Sequence, residues 1–316
     1  MLLAPQPMHI PDGFLTTVVA LFLWLVAVIV IGYALRRVSQ EIGERLVPLM
    51  GVLAATIFAG QMLNFSVTGG TSGHLLGATL ATILVGPWAA MVVMTTVVSI
   101  QALIFQDGGL LALGANLFNM AIVGVAVAHF TYTTVQKLAR GKSWGIFVGG
   151  FVAAWLSIVI AALACALELA VSGTSPANIA VPAMGGIHAL IGIGEGLITL
   201  GALALVYAAR RDLLSGTQAA PRGSKAVWVG GLLFALLLTV LSPLASAHPD
   251  GLEWVAEQHG FLEAAREPLY TLIPDYLFPG IPNETLATIL AGILGTLLVF
   301  GVALGVARAR RAAAKP

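Results

Sequence analysis

Eight apolar runs leave this chain few ways to fold. They lie near residues 14–35, 46–64, 74–105, 112–135, 144–171, 184–208, 226–245 and 284–307. In hydrocarbon every backbone N–H and C=O must be paired within the protein, which favours helices whose bonds close inside the segment. A run of about 20 apolar residues is long enough to cross a bilayer as a helix. The rest of the chain is as sparing of charge: 9% of residues are Asp, Glu, Lys or Arg, against about 25% in a soluble domain. These features predict an all-α, polytopic membrane protein.

The number of crossings turns on the 74–105 run. As one helix it would be roughly 48 Å long, too much for a hydrocarbon core of about 30 Å. Gly86-Pro87 lies inside it, and proline there ends or kinks a helix. Splitting the run into 74–85 and 88–105 gives nine spans. With nine spans and the N-terminus outside, the inner segments hold Arg36, Arg37 and Arg45; Lys137, Arg140 and Lys142; Arg210, Arg211, Arg222 and Lys225; and Arg308, Arg310, Arg311 and Lys315. That is 14 of the 15 Lys and Arg, with Arg266 alone outside. One unsplit span would put the 137–142 cluster across the membrane from Arg36 and Arg45, so the positive-inside rule favours the split and this orientation.

The organisation that follows is a seven-span bundle over residues 8–210, a polar cytoplasmic linker at 211–225, and a two-span unit over 226–311. An outer loop at 246–283 joins the last two spans. It carries His248, Asp250, Glu253, Glu257, His259, Glu263, Glu267 and Asp275. Such a loop either raises the local cation concentration or is a solvated polar connection; within it, 251–265 is expected to form a short amphipathic helix. The net charge of +1 suggests no nucleic-acid partner, and the single Cys165 can form no internal disulfide.

Against this apolar background the opening Met8-His9-Ile10-Pro11-Asp12-Gly13-Phe14 is oddly polar. A chain starting at Met8 would have a free amine one residue before a histidine. The amine, the His9 amide nitrogen and the His9 imidazole could then close adjacent five- and six-membered chelate rings. One more nitrogen completes a square, which suits Ni(II) or Cu(II). His74, in Gly69-Gly70-Thr71-Ser72-Gly73-His74, is the candidate. The alternative is a terminal histidine with no ligand role. Residues 1–7 precede Met8 in the sequence, and a misassigned start codon is the expected explanation.

Asn64 is a candidate to steady the His74 ring through its second nitrogen; Asn116 and Asn119 could do the same or serve as polar links between helices. His188 and Glu195 are seven residues apart and share a helix face. Ionisable groups within a membrane usually serve function, and both a supporting or gating role and a structural hydrogen bond remain open for them. Glu168 is expected near the outer interface. No Ser-His-Asp, His-Glu-x-x-His or Cys-x-x-Cys pattern is present. Gly141-Lys142-Ser143 lacks the earlier glycine of a P-loop, so no ATPase is expected in this chain.

Three segments together resemble a known family. Residues 8–14, then Asn64-Phe65-Ser66-Val67 with Gly70-Thr71-Ser72-Gly73-His74-Leu75-Leu76-Gly77, and the His188-to-Thr199 stretch are similar to the nickel/cobalt substrate-capture proteins of energy-coupling-factor transporters, the CbiM/NikM family. Pro249-Asp250-Gly251-Leu252-Glu253, Pro274-Asp275-Tyr276 and Gly292-Ile293-Leu294-Gly295-Thr296 resemble the two-span accessory subunit called NikN or the PDGLE domain. The resemblance implies transition-metal uptake without catalysis, with Ni(II) or Co(II) as cargo rather than cofactor. It implies a site of the N-terminal amine, the amide and imidazole of the next residue, and a histidine on a later helix, which map to Met8, His9 and His74. It also implies a bacterial or archaeal cytoplasmic membrane location, a separate transmembrane coupling protein and cytoplasmic ATPases. Small residues such as Gly114, Ala115, Gly149 and Gly150 would form the sliding contact with those partners. The competing expectations are a membrane-bound enzyme of cobalamin synthesis and a passive metal channel.

Overall fold

The computed structural model describes residues 8–41, 43, 46–214 and 225–313. Most of the linker, Arg45, Arg222, Lys315 and residues 1–7 lie outside them. The architecture is an all-α bundle with one small hairpin. Six described helices are long and apolar enough to cross a membrane. They are α1 (Thr17–Glu41), α4 (Pro87–Ile100, prolonged by a π turn at Gln101–Phe105), the run from α5 (Leu113–Asn116) through a π-helical stretch (Leu117–Val123) into α6 (Gly124–Ala139), α7 (Trp144–Val171), α8 (Ala177–Arg210) and α11 (Glu284–Ala312). The apolar helices α2 (Leu46–Gln61), α3 (Ala78–Val85) and α9 (Lys225–Leu241) are shorter. On the outer loop lies α10 (Gly251–His259).

The break inside the 74–105 run falls at Gly86, whose φ of 81° and ψ of 165° end α3, and Pro87 then opens α4. Its fixed φ and missing N–H suit the first helical turn. The helix before the break is shorter than expected. Only eight residues are helical, about 12 Å of rise, and residues 74–77 are neither helix nor strand. His74 therefore sits on a non-helical strap ahead of a helix, not on one. The cause is Gly77, whose φ of 79° starts the helix late.

The strap continues from a two-stranded antiparallel hairpin, β1 (Phe65–Val67) and β2 (Thr71–Gly73), which pairs Phe65 with Gly73 and Val67 with Thr71. The loop after α9 docks on this hairpin: Ser72 N donates to Pro249 O at 2.8 Å and Ser72 Oγ to His248 O at 2.8 Å. The expected helix at 251–265 stops at His259. Asp250 caps its start by accepting from Glu253 N at 2.9 Å, and Gly260 ends it in the left-handed conformation.

The C-terminal pair α9 and α11 packs on α2 through small residues. A Cβ on Gly231 would lie 2.4 Å from Val52, and one on Gly295 2.2 Å from Phe58. Small residues also draw the larger bundle together. A Cβ on Gly114 would meet the α1 backbone at Trp24 Cα, 2.6 Å away; Gly149 faces Tyr132 and Val135, and Gly150 faces Leu203. These residues, with the fully buried Ala115, join helices within the chain and leave no surface there for sliding against a partner. The α1 face bearing Val18, Leu21, Phe22, Leu25, Val28 and Ile29 is instead exposed and apolar, as a lipid-facing surface should be.

Gly114→Ala should be costly, because backbone at Trp24 cannot retreat as a side chain can. We expect a loss on the order of 1–3 kcal/mol, seen as a lower melting temperature in detergent. An unchanged Tm would show that α1 and α5 do not meet this closely.

Candidate metal centre

Residues 8–13 enter one end of the bundle as non-helical chain, and several of their backbone groups are paired there. Ile10 N donates to Asn116 Oδ1 at 3.0 Å, while Asn116 Nδ2 donates to Ile10 O at 3.1 Å. Gly109 N also donates to Ile10 O, at 2.9 Å. The Asp12 carboxylate accepts from Leu110 N at 3.1 Å and Ala112 N at 2.9 Å. Thr174 Oγ1 donates to Phe14 O. Buried polar groups are stable only when paired in this way. The receiving loop, Asp107-Gly108-Gly109, owes its shape to glycine: a Cβ on Gly108 would lie 2.9 Å from His9 Cβ, and one on Gly109 2.0 Å from Asp12 Oδ1.

Three nitrogens converge on one atom. Met8 N lies 2.7 Å from Asp107 Oδ1, His9 N 3.2 Å and His9 Nδ1 3.1 Å. They are the three nitrogens of the chelate expected from sequence, and the posture places the imidazole Nδ1 on the same side as the two backbone nitrogens. His9 Nε2 is buried with no hydrogen-bond partner. The His9 ring meets the His74 ring edge-on, with centroids 5.8 Å apart. His74 Nδ1 is 3.9 Å from Asp250 Oδ2. A cavity lined by Met8, His9, His74, His188, Asp250 and Cys165 lies among them.

The electrostatics divide the two histidines. Burial opposes charge on His9, but the Asp107 carboxylate beside it holds its pKa above the ordinary value. Burial, with His9 nearby, pushes His74 down to about 3, so its ring is a neutral donor. Burial lifts Asp250 to about 8. Among the described residues no three His, Cys, Asp or Glu side chains gather closely enough to hold an ion alone.

Glu195 does not face the cavity as a ligand. It is fully buried and accepts from Leu76 N at 2.7 Å and Gly77 N at 3.1 Å. It thereby fastens the strap that carries His74 and caps the N-terminus of α3. His188 Nδ1 donates to Met184 O at 2.9 Å, which leaves Nε2 as a free acceptor beside the close approach of Gly251. Asn64 makes no hydrogen bond to His74; its Oδ1 is unpartnered and its carbonyl accepts from Ser246 N at 2.8 Å. Asn116 grips the N-terminal segment rather than the His74 ring. Asn119 Nδ2 donates to Glu168 Oε2 at 2.8 Å, an interhelical link that buries Glu168 within a turn of the end of α7. Sequence reasoning missed Asp107. Its signal was an acidic residue followed by two glycines directly after an apolar run.

Comparison with known proteins comes from three sides. Residues 9–213 match the family described as the cobalt uptake substrate-specific transmembrane region, CbiM, and residues 225–312 match the PDGLE domain. A protein of Archaeoglobus fulgidus bearing the name NikMN is 37% identical over 97% of this chain and 100% of its own length. The fused nickel transport protein NikMN of Rhodobacter capsulatus is 30% identical over 94% of this chain and 96% of its own length. The crystal structure of a truncated transition metal transporter superposes with a TM-score of 0.56 at 35% identity, covering 64% of this chain and 98% of that one.

Glu195→Gln would set an amide NH₂ against one of the two backbone donors. Losing a buried hydrogen bond to a charged acceptor costs about 1.5–3 kcal/mol. We expect a lower Tm and weaker metal binding together, measured by thermal unfolding and nickel titration of the same preparation; a change in neither would remove Glu195 from the support of His74.

Proposed function

The chain belongs to the CbiM family of cobalt-uptake transmembrane proteins, joined to a PDGLE domain, and on that premise we propose that Met8, His9 and His74 capture Ni(II) or Co(II) at the outer mouth of the bundle. It is a transition-metal uptake component of the cytoplasmic membrane, multi-pass, related to energy-coupling-factor transporters and without catalytic activity of its own. The observation that carries the site assignment is the convergence of Met8 N, His9 N and His9 Nδ1 on a single point, with each within 3.2 Å of Asp107 Oδ1. The neutral His74 ring beside them supplies the fourth nitrogen. Four nitrogens in a plane select Ni(II), Cu(II) and ions of similar preference over hard cations. Coordination displaces protons from these nitrogens, so affinity falls as the pH falls.

Met8 contributes an amine only in a chain that begins there, so the functional form starts at Met8. Asn64, His188 and Glu195 lie behind the ligands: Glu195 fixes the strap, His188 borders the cavity and Asn64 lies on the outer side of Met8. The finer topology is nine passes of the chain with the N-terminus outside, α3 and its non-helical strap together making the short third pass. The distribution of Lys and Arg supports it, as does the break at Gly86. Residues 8–210 form the capture domain, 211–225 a cytoplasmic linker and 226–311 the PDGLE unit. Release to the cytoplasm is driven by ATPase subunits acting through a separate coupling protein. The PDGLE match and the relatives named for nickel favour nickel over cobalt as the main cargo.

Intact mass and N-terminal sequencing of the native protein should give a chain starting Met8-His9. A blocked or extended Met8 would overturn the amine ligand. His9→Ala and His74→Ala should each abolish nickel binding and uptake, and near-normal uptake by both would overturn the site.

A further inference from the structure

The established family accounts for uptake but not for Asp107, which no metal chemistry above uses. Its two carboxylate oxygens face different parts of the chain. Oδ1 accepts from Met8 N and His9 N and lies 3.1 Å from His9 Nδ1, which hydrogen-bonds the Asp107 carbonyl at 3.3 Å. Oδ2 accepts from the hydroxyl of Tyr276 at 2.6 Å. Tyr276 belongs to the PDGLE unit, 169 residues later in the chain. The residue is thus a two-ended link between the chelate nitrogens and the C-terminal unit.

The tyrosine end is built to stay in place. Tyr276 is 1% exposed. Its ring stacks on Phe105 with centroids 4.7 Å apart at 13°, and lies 6.1 Å from Phe58. Asp275 and Tyr276 both take positive φ, 54° and 55°, a region that side-chain-bearing residues rarely adopt. Such conformations persist only where the surroundings hold them. Nearby, Ile273 N donates to Ile104 O at 3.1 Å and Leu272 N to Gln106 Oε1 at 3.1 Å. The C-terminal loop is therefore stitched along the residues that lead into Asp107.

The nitrogen end imposes an exclusion. Three nitrogens aimed at one point can serve a carboxylate oxygen there or a cation, not both at once. Resting on the proposed chelate, we infer that Asp107 is a positioning residue that holds Met8 and His9 in the chelating posture and turns off the convergence point as the metal enters, with Tyr276 retaining its other oxygen. Through this carboxylate the PDGLE unit sets the rate at which the site loads. The bound ion keeps an all-nitrogen ligand set, and Tyr276 never touches it.

The test uses the purified protein whose chain begins at Met8, with nickel chloride, followed by stopped-flow absorption of the bound ion and by equilibrium titration. Tyr276→Phe should slow nickel association about tenfold while the absorption spectrum of the bound ion stays as in the unaltered protein. Asp107→Ala should weaken affinity at least tenfold, chiefly through association, again with the spectrum preserved at saturating nickel. His9→Ala separates the two levels: a normal spectrum in that variant overturns the chelate itself. If His9→Ala abolishes binding but Tyr276→Phe and Asp107→Ala load at normal rates and affinity, the positioning role alone falls. If Asp107→Ala shifts the spectrum, Asp107 is a ligand and its withdrawal is wrong. Tyr276→Phe keeps the stacked ring, so it tests the hydroxyl without emptying the core.

Discussion

A polar strand of chain lying in an apolar mouth must have every buried N–H and C=O answered, and the rest of the molecule is arranged to meet that demand. Residues 8–13 contain no helix to pair their backbone. Asn116, Asp107, Gly109 and Arg266 provide partners for that backbone. Unmet, each such group would cost on the order of 1–3 kcal/mol. This is why a loop with two consecutive glycines follows α4: side chains there would fill the space the N-terminal segment occupies. The same pairing that seats the segment also aims its nitrogens inward, so structural necessity and ligand geometry coincide.

The C-terminal unit completes the enclosure. Its helices rest on α2, and the loop between them crosses the end of the bundle where residues 8–13 enter. Asp250 reaches His74, Arg266 N donates to Asp12 O at 2.7 Å, and Tyr276 reaches Asp107. The loop's many carboxylates suggested either a cation reservoir or a plain solvated connection. Asp250 fits neither description, since it is buried, caps α10 and borders the metal cavity. A fused chain keeps this cover tethered beside the site, where a separate subunit would have to find it.

Much of the candidate site was legible because the chemistry proposed for it is local. Met8 and His9 are neighbours in sequence, and chelate rings need only adjacent atoms. His74 stood out as a histidine beside glycines at the edge of an apolar run. The supporting residues were harder to place. Glu195 was visible as a costly intramembrane acid, yet whether it faced a metal, a gate or a backbone depended on where α8 met the strap. Asn64 and Asn116 were nearly interchangeable by type, and only packing sent one to the outer seam and the other to the N-terminal segment. Gly114, Gly149 and Gly150 signalled close contacts correctly but not with what: they pack α1, α6 and α8.

Hydrophobic run length, the Gly86-Pro87 break and the placement of charge are properties of consecutive residues, so the sequence by itself determined an all-α membrane bundle, its two-part order and its candidate ligands. Contacts between residues about a hundred or more positions apart have no such local signature. Asp107 with Met8, Glu195 with Leu76 and Tyr276 with Asp107 exist because helices cross at particular angles and depths. Tertiary structure alone decided that His74 rides a non-helical strap, that Glu195 fastens it, and that the Asp107 carboxylate joins Met8 N and His9 N to the C-terminal unit. The physical reason is that burial makes an unpaired polar group costly, and only the folded arrangement fixes which partner is within reach.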